Sequence, residues 1–267
     1  MDHRLKLNWA RRHLDTLQAS IERFVAGGAV HAMTLRFDAD SGKYIATLRT
    51  QREFPSEWTL IVGDVMHNTR SALDALTYAL SVRNLGRNPT GREARQIQFP
   101  IIDRPEDWNA ERDRRLGCVT EEVQAAIEKL QPYNSAVAAD PTFHHCLSII
   151  RDISNVDKHR HILVAASAAA DAGIVVTGPE IAPGSMLSGW SGIVVDGMEV
   201  ASFDFRDASG ELVPVERHPK LAVQGKVTLE FCFAGGAPGW GWPLMHMRGC
   251  VNYVEREVFS ALEVFLS

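Results

Sequence analysis

The sequence predicts an α+β fold: a helical bundle with an N-terminal β-hairpin, an inserted antiparallel β region and a C-terminal helix that returns to the bundle. Three observations predict it. Apolar residues recur at helical spacing near both ends of the chain, apolar and polar residues alternate between positions 173 and 233, and the amphipathic last segment needs an apolar partner. We therefore expect a single domain over residues 1–267, with a helical core of 1–166 and 244–267 and a β-rich insertion of 167–243.

Helical periodicity and capping residues define the predicted bundle. The first helix carries an apolar stripe that includes Leu7, Leu14 and Ile21, and Gly27-Gly28 ends it. Thr120 is the expected N-cap of a later helix, and Asp140-Pro141 is the expected start of the next. The predicted bundle helices span residues 1–25, 56–85, 120–130, 141–160 and 244–266, and a shorter helix spans 105–112.

Alternating apolar residues and turn signals define the predicted strands. Residues 33–48 read as a β-hairpin whose turn contains Gly42, and 97–101 as an edge strand in a connector. Asp196-Gly197 and Ser209-Gly210 are typical of hairpin turns. The later strands are expected at 173–176, 192–195, 200–205, 212–215 and 227–233.

Composition excludes several classes of protein. Of the 267 residues, 28 are basic and 33 acidic, which gives a net charge of −5. This charge argues against electrostatic binding of nucleic acid or of an anionic membrane over the whole surface. Any phosphate site must therefore be local. With no apolar run of signal-peptide or membrane-spanning length, we expect a cytoplasmic protein that does not engage a membrane.

The four cysteines are widely spaced and are expected to be reduced core thiols.

A first polar cluster lies in the middle of the 56–85 helix. Helical geometry places Asp64, His67, Ser71 and Asp74 on one face, and Arg70 and Asp74 form an i, i+4 pair. The cluster is either a solvated face with one salt bridge or part of a site. Asn and Ser are weak helix formers, so their presence in the central turns favours a site.

A second polar cluster covers residues 151–161. If the helix continues through it, Arg151, Asn155 and His159 lie on one stripe, with Lys158 at its edge. A guanidinium, an amide and an imidazole on one stripe are suited to phosphodiester transesterification. In this interpretation His159 is the general base, and Arg151 and Lys158 bind the phosphate. Asn155 orients a hydroxyl or the phosphate. The alternative is a polar helix end whose basic residues complement the helix dipole.

A metal site is the weaker interpretation of the same residues. Asp64 with His67, or Asp157 with His159 and His161, would supply ligands, but no His-Glu-x-x-His pattern is present. We therefore expect neither a metal nor another cofactor.

Four short motifs carry a resemblance to known proteins. They are residues 67–74 (HNTRSALD), 99–101 (FPI), 131–133 (QPY) and 155–160 (NVDKHR). Together they resemble an uncharacterised bacterial family that is common in actinobacteria, over about residues 55–165. No activity comes with that family.

The helical part also resembles, more distantly, the HEPN superfamily of small helical bundles. Many of its members cleave RNA without a metal, through an Arg, a polar residue and a His four to six residues later, presented by paired protomers. Arg151-Asp152 fits this pattern, whereas His159 follows Arg151 after seven intervening residues, which departs from it. The resemblance implies RNA or a nucleotide as partner in a local pocket, and a homodimer as an option.

Two functional hypotheses follow. The first is a HEPN-like, metal-independent endoribonuclease or a phosphate-recognising relative. It predicts that the 56–85 and 141–160 helices pack antiparallel and bring His67 or Arg70 near His159. The residues expected to complete the site are His67, Asn68, Arg70, Asp74, Asp157 and Arg160. The second hypothesis is a non-enzymatic protein whose polar clusters fix helix packing or dock a partner or small ligand.

Overall fold

The computed structural model describes residues 2–135, 144–159, 164–169, 182–183, 192–193, 195–207, 209–218, 229–234 and 242–267. Side chains are described within 2–135, 144–155, 195–207, 209–218, 231–233 and 242–267. The fold combines helices with antiparallel sheet, as the sequence predicts. The chain groups into two compact units: residues 1–19, 57–163 and 244–267 form the first, and residues 20–56 and 164–243 form the second. The single-domain expectation stays a prediction.

The first unit is helical. Its elements are α1 (Asp2–Ala26, which continues into the second unit), α2 (Glu57–Leu85), α3 (Gly91–Gln96), α4 (Trp108–Arg115), α5 (Glu121–Lys129), α6 (Cys146–His159), α7 (Leu244–Tyr253) and α8 (Ser260–Leu262). A π-helical segment, Val254–Phe259, joins α7 to α8. Short 3₁₀ turns lie at Pro105–Asp107, Pro132–Asn134 and Glu263–Leu266.

The predicted stripes form the core of this unit. Leu14 of α1, Leu73 of α2, Ile150 of α6 and Val251 of α7 are all fully buried. Helix α2 packs against α6, and α6 packs against α7. The C-terminal helical segment also meets α1, where Arg11 forms a salt bridge with Glu255. This agrees with the expectation that the C-terminal helix returns to the bundle.

The second unit is a set of small antiparallel sheets. Strands β1 (His31–Asp38) and β2 (Lys43–Thr50) form the predicted hairpin, and β6 (Glu199–Phe203) pairs with β2. A second sheet has the order β5-β3-β8-β9, and a third pairs β4 with β7. These strands are β3 (Val164–Ala169), β4 (Ala182–Pro183), β5 (Gly192–Ile193), β7 (Phe205–Arg206), β8 (Leu229–Ala234) and β9 (Trp242–Pro243). Leu48 of β2 and Phe203 of β6 are fully buried and belong to the hydrophobic core of this unit.

Several predicted elements differ from the structure. Residues 97–101 form no strand, and the unpredicted helix α3 precedes them. Strand β3 is also unpredicted, because its Ala-rich sequence has low β propensity. The segment 212–215 contributes only a bridge between Leu212 and Arg206, followed by a 3₁₀ turn. The predicted strand at 173–176 lies outside the described residues.

Helix α6 begins at Cys146, not at Pro141, and Asp140 and Pro141 lie outside the described residues. His145 caps the helix instead. Its Nδ1 accepts a hydrogen bond from the backbone N–H of Leu147 at 3.2 Å, and its carbonyl accepts from the N–H of Ile149 at 3.0 Å. Capping by an imidazole lies outside the Ser, Thr, Asp and Asn pattern on which the sequence prediction rests.

Candidate functional site

The two polar clusters of the sequence meet at one cavity of the helical unit. Its volume is about 200 Å³, and it is lined by α2, α4, α6 and the segment 98–102. The lining includes Arg70 and Asp74 from the first cluster and Arg151 and Asn155 from the second. The remaining lining residues are Gln98, Phe99, Ile101, Ile102, Glu111, Arg115 and Ser154.

Arg70 and Asp74 hold both backbone polar groups of Phe99. The carboxylate of Asp74 accepts from the Phe99 N–H at 2.9 Å, and Nη2 of Arg70 donates to the Phe99 carbonyl at 2.6 Å. The same Nη2 lies 3.2 Å from the Asp74 carboxylate. The predicted edge strand would have needed a neighbouring strand as hydrogen-bond partner. Here side chains of α2 satisfy the backbone of Phe99 instead, so the segment is fixed in place without belonging to a sheet.

Gln131 fixes the other end of this segment. Its side-chain oxygen accepts from the Ile102 N–H at 2.9 Å, and its side-chain amide donates to the Ile127 carbonyl at 3.0 Å. Gln131 is buried. The wall formed by residues 98–102 is thus tied to α2 on one side and to the end of α5 on the other.

Arg151 is held by carboxylates at the rim of the cavity. Its guanidinium lies 2.5 Å from Asp103 and 2.8 Å from Asp152, and Ser148 donates a 2.6 Å hydrogen bond to Asp103. Burial opposes these contacts, but the hydrogen bonds to Asp152 and Asp103 outweigh it and raise the pKa of Arg151. Asp103 therefore positions Arg151, although no sequence pattern singled Asp103 out.

Arg115 is the third guanidinium at the cavity and was missed from the sequence. It lies 2.5 Å from Glu111, its i−4 neighbour, and it donates to the side-chain oxygen of Gln98. The only available signal was the Arg-rich run of residues 111–115. An Arg-rich run is equally typical of an exposed helix face and of a binding site, so the sequence could not single out Arg115.

The cavity brings three guanidinium groups close together, and each is paired with a carboxylate. Three guanidinium groups line it together with two carboxylates. Burial lowers the pKa of Arg70, Asp74 opposes that shift, and the positive charges of Arg115 and Arg151 lower the pKa further. The side chain of Arg70 is only 14% exposed. An anion that entered the cavity would relieve this mutual repulsion.

Other predicted residues lie away from the cavity or outside the described side chains. His67 is exposed and sits 3.5 Å from Ser71, while Asn68 donates to the Asp64 carbonyl at 2.8 Å. Neither lines the cavity. The backbone of α6 continues through Asp157, Lys158 and His159. Their side chains, and all of Arg160 and His161, lie outside the part of the chain that the structure describes.

Within the described ranges, no group of three or more His, Cys, Asp or Glu side chains is arranged to hold a metal ion. None of the helices in those ranges has the length and hydrophobicity that a membrane crossing requires. No protein-family model, curated protein or solved structure matches the chain.

Proposed function

We propose that the cavity binds the phosphate group of RNA or of a nucleotide, in a HEPN-like, metal-independent endoribonuclease or a phosphate-recognising relative. One observation carries the proposal: Arg70, Arg115 and Arg151 come from three different helices and line one small cavity. Guanidinium groups match phosphate oxygens in geometry and charge. Each charge-assisted hydrogen bond contributes about 1.5–3 kcal/mol.

The size of the cavity supports a single phosphate as the bound group. Pockets for drug-sized ligands measure about 300–1,000 Å³, whereas this cavity has about 200 Å³. The base and sugar would therefore extend outside it. Recognition through phosphate alone carries no sequence information, so we expect weak discrimination between RNA sequences.

Helix α6 supplies the proposed catalytic groups. Asn155 lines the cavity one turn after Arg151, and His159 follows one further turn along the backbone. In the proposal Arg151 and Lys158 hold the non-bridging oxygens, Asn155 orients the phosphate or a hydroxyl, and His159 removes the proton of the attacking hydroxyl. Asp157 and Arg160 are proposed to contact the remainder of the ligand.

A structural role is the second candidate, and one observation favours it. Arg70 and Arg151 already have carboxylate partners, and Arg70 with Asp74 fixes the backbone of Phe99. A fully satisfied polar network of this kind specifies how helices pack without binding anything. On this account, removal of a cavity residue reduces stability and no phosphate binds.

Cleavage of labelled single-stranded RNA by the full chain, in excess chelator, separates the candidates. We expect cleavage that survives the chelator, is lost in His159→Ala and is kept in His13→Ala, a substitution on α1 away from the cavity. Thermal melting shows whether each variant is folded. RNA binding without cleavage supports the phosphate-recognising relative. If the chain neither cleaves nor binds RNA and His159→Ala melts at a lower temperature, the structural role is the correct one.

A further inference from the structure

Two cysteines from different helices lie together in the helical unit. Cys146 is the first residue of α6 and is half-buried, whereas Cys250 belongs to α7 and is 0% exposed. The two helices pack against each other. The ring of His145, next to Cys146, contacts the ring of Tyr253 at the end of α7, with centroids 5.0 Å apart, so the start of α6 lies against the part of α7 that contains Cys250. In sequence the two cysteines are far apart, so their spacing gave no sign of a pair.

The two thiols interact directly. A hydrogen bond from the Cys250 thiol to the Cys146 sulfur lowers the pKa of Cys146, although burial opposes the shift. The same contact, reinforced by burial, raises the pKa of Cys250 well above its ordinary value. Cys146 is therefore the readier thiolate, and Cys250 keeps its proton. Thiolates are the nucleophiles in cysteine chemistry.

The two cysteines also differ in solvent accessibility, and this difference again makes Cys146 the more reactive one. A small oxidant can reach the half-buried Cys146 but not the buried Cys250. A reactive, accessible cysteine beside a second thiol that can displace its oxidised form is the arrangement of redox-sensitive pairs.

We propose that Cys146 and Cys250 form a reversible disulfide that joins the start of α6 to α7, with Cys146 oxidised first by hydrogen peroxide and Cys250 resolving it. The Cys146 thiolate attacks one peroxide oxygen, which breaks the O–O bond, gives a sulfenic acid and releases hydroxide. The Cys250 sulfur then attacks the Cys146 sulfur, forms the S–S bond and expels hydroxide. The Cys250 proton and one further solvent proton convert both hydroxides to water. The two cysteines lose two electrons, which reduce one molecule of hydrogen peroxide to two of water.

Cys118 provides an internal control. It is also half-buried, but burial raises the pKa of its thiol. At pH 7 we expect Cys146 to react with iodoacetamide at least about tenfold faster than Cys118, because a larger fraction of Cys146 is thiolate. Equal rates for the two cysteines would contradict the proposed role of Cys146.

In the decisive experiment, the reduced full chain is treated with one equivalent of hydrogen peroxide. The protein is then denatured, and its remaining thiols are alkylated. Proteolytic peptides are identified by mass spectrometry without reduction. We expect a linked pair of peptides containing Cys146 and Cys250, reversible with dithiothreitol, and alkylated Cys118 and Cys232. In Cys250→Ser, dimedone should trap sulfenic acid at Cys146, and in Cys146→Ser, Cys250 should stay reduced. If Cys250→Ser does not fold, a transient dimedone adduct on Cys146 in the unsubstituted chain gives the same information. Oxidation of Cys146 to sulfinic acid while Cys250 stays a thiol would overturn the proposal.

Discussion

The carboxylate of Asp74 accepts a hydrogen bond from the backbone N–H of Phe99 at 2.9 Å. This bond ties the middle of α2 to the segment that forms one wall of the cavity. Arg70, one turn earlier on α2, donates to the carbonyl of the same residue. The Phe99 side chain is itself fully buried. The polar pair of the first cluster thus shapes the cavity as well as lining it.

Loss of the Asp74 carboxylate should destabilise the protein. Asp74→Ala leaves the Phe99 N–H without its acceptor and the largely buried Arg70 guanidinium without its carboxylate partner. We therefore expect a loss of about 2–3 kcal/mol in the free energy of unfolding. Asp64→Ala removes an exposed carboxylate from the same helix and should change it by less than about 0.5 kcal/mol. Urea unfolding of both variants measures the difference. Equal effects would show that the contact with Phe99 contributes little.

Arg70→Lys should fail to replace arginine although it keeps the charge. In arginine, Nη2 alone contacts the Phe99 carbonyl and the Asp74 carboxylate. The other N–H groups of the planar guanidinium fork stay available for a phosphate in the cavity, whereas the single ammonium nitrogen of lysine cannot hold both acceptors and also present such a fork. We expect a loss of about 1–2 kcal/mol in stability and about tenfold weaker RNA binding, equivalent to roughly 1.4 kcal/mol. Arg248→Lys, at an exposed salt bridge with Asp15, is the matched control and should preserve both quantities. Full RNA affinity in Arg70→Lys would argue against a role for the fork.

His145 should make stability depend on pH. Burial lowers its pKa from the ordinary 6.5, with Asp103 opposing the shift, and its Nδ1 must be unprotonated to accept from the Leu147 N–H. Below pH 6.5 the unfolded chain therefore binds a proton that the folded chain resists. The contribution is fully present above pH 6.5 and is lost as pH falls through the lower, folded-state pKa.

His145→Asn tests this dependence because asparagine caps helices but does not titrate. The free energy of unfolding, measured by urea between about pH 7.5 and 5, should fall further in the unsubstituted chain than in the variant. Because other titrating groups are common to both proteins, the difference between the two curves isolates His145. Parallel curves would mean that its protonation is not linked to folding.

Periodicity and capping predicted the long elements because their local pattern and their burial agree. Helices α1 and α2 and the β1–β2 hairpin are examples. The predicted strand at 97–101 failed because its backbone partners are side chains that are distant in sequence, Asp74 and Arg70. No local pattern contains that information.

The candidate site was predictable only in part for the same reason. Helical spacing found the Arg70–Asp74 pair and the stripe from Arg151 to Asn155, because each lies within one helix. Arg115 and Asp103 come to the cavity and its rim through the packing of other segments. The distance from His67 or Arg70 to the side chain of His159 stays a prediction, since that side chain lies outside the described residues.

The most direct test of the proposed phosphate site compares two adjacent arginines. Arg115 lines the cavity and Arg114 does not, yet each forms a salt bridge with Glu111. Binding of labelled single-stranded RNA by the full chain and both variants is measured from about 20 to 200 mM salt. Because one to three phosphates would be neutralised, log K should fall with log salt with a slope between about −0.7 and −2. Arg115→Ala should weaken binding at low salt at least about tenfold, and Arg114→Ala should leave it unchanged. Equal affinities for the two variants, a slope steeper than about −4, or no binding at all would contradict the proposal.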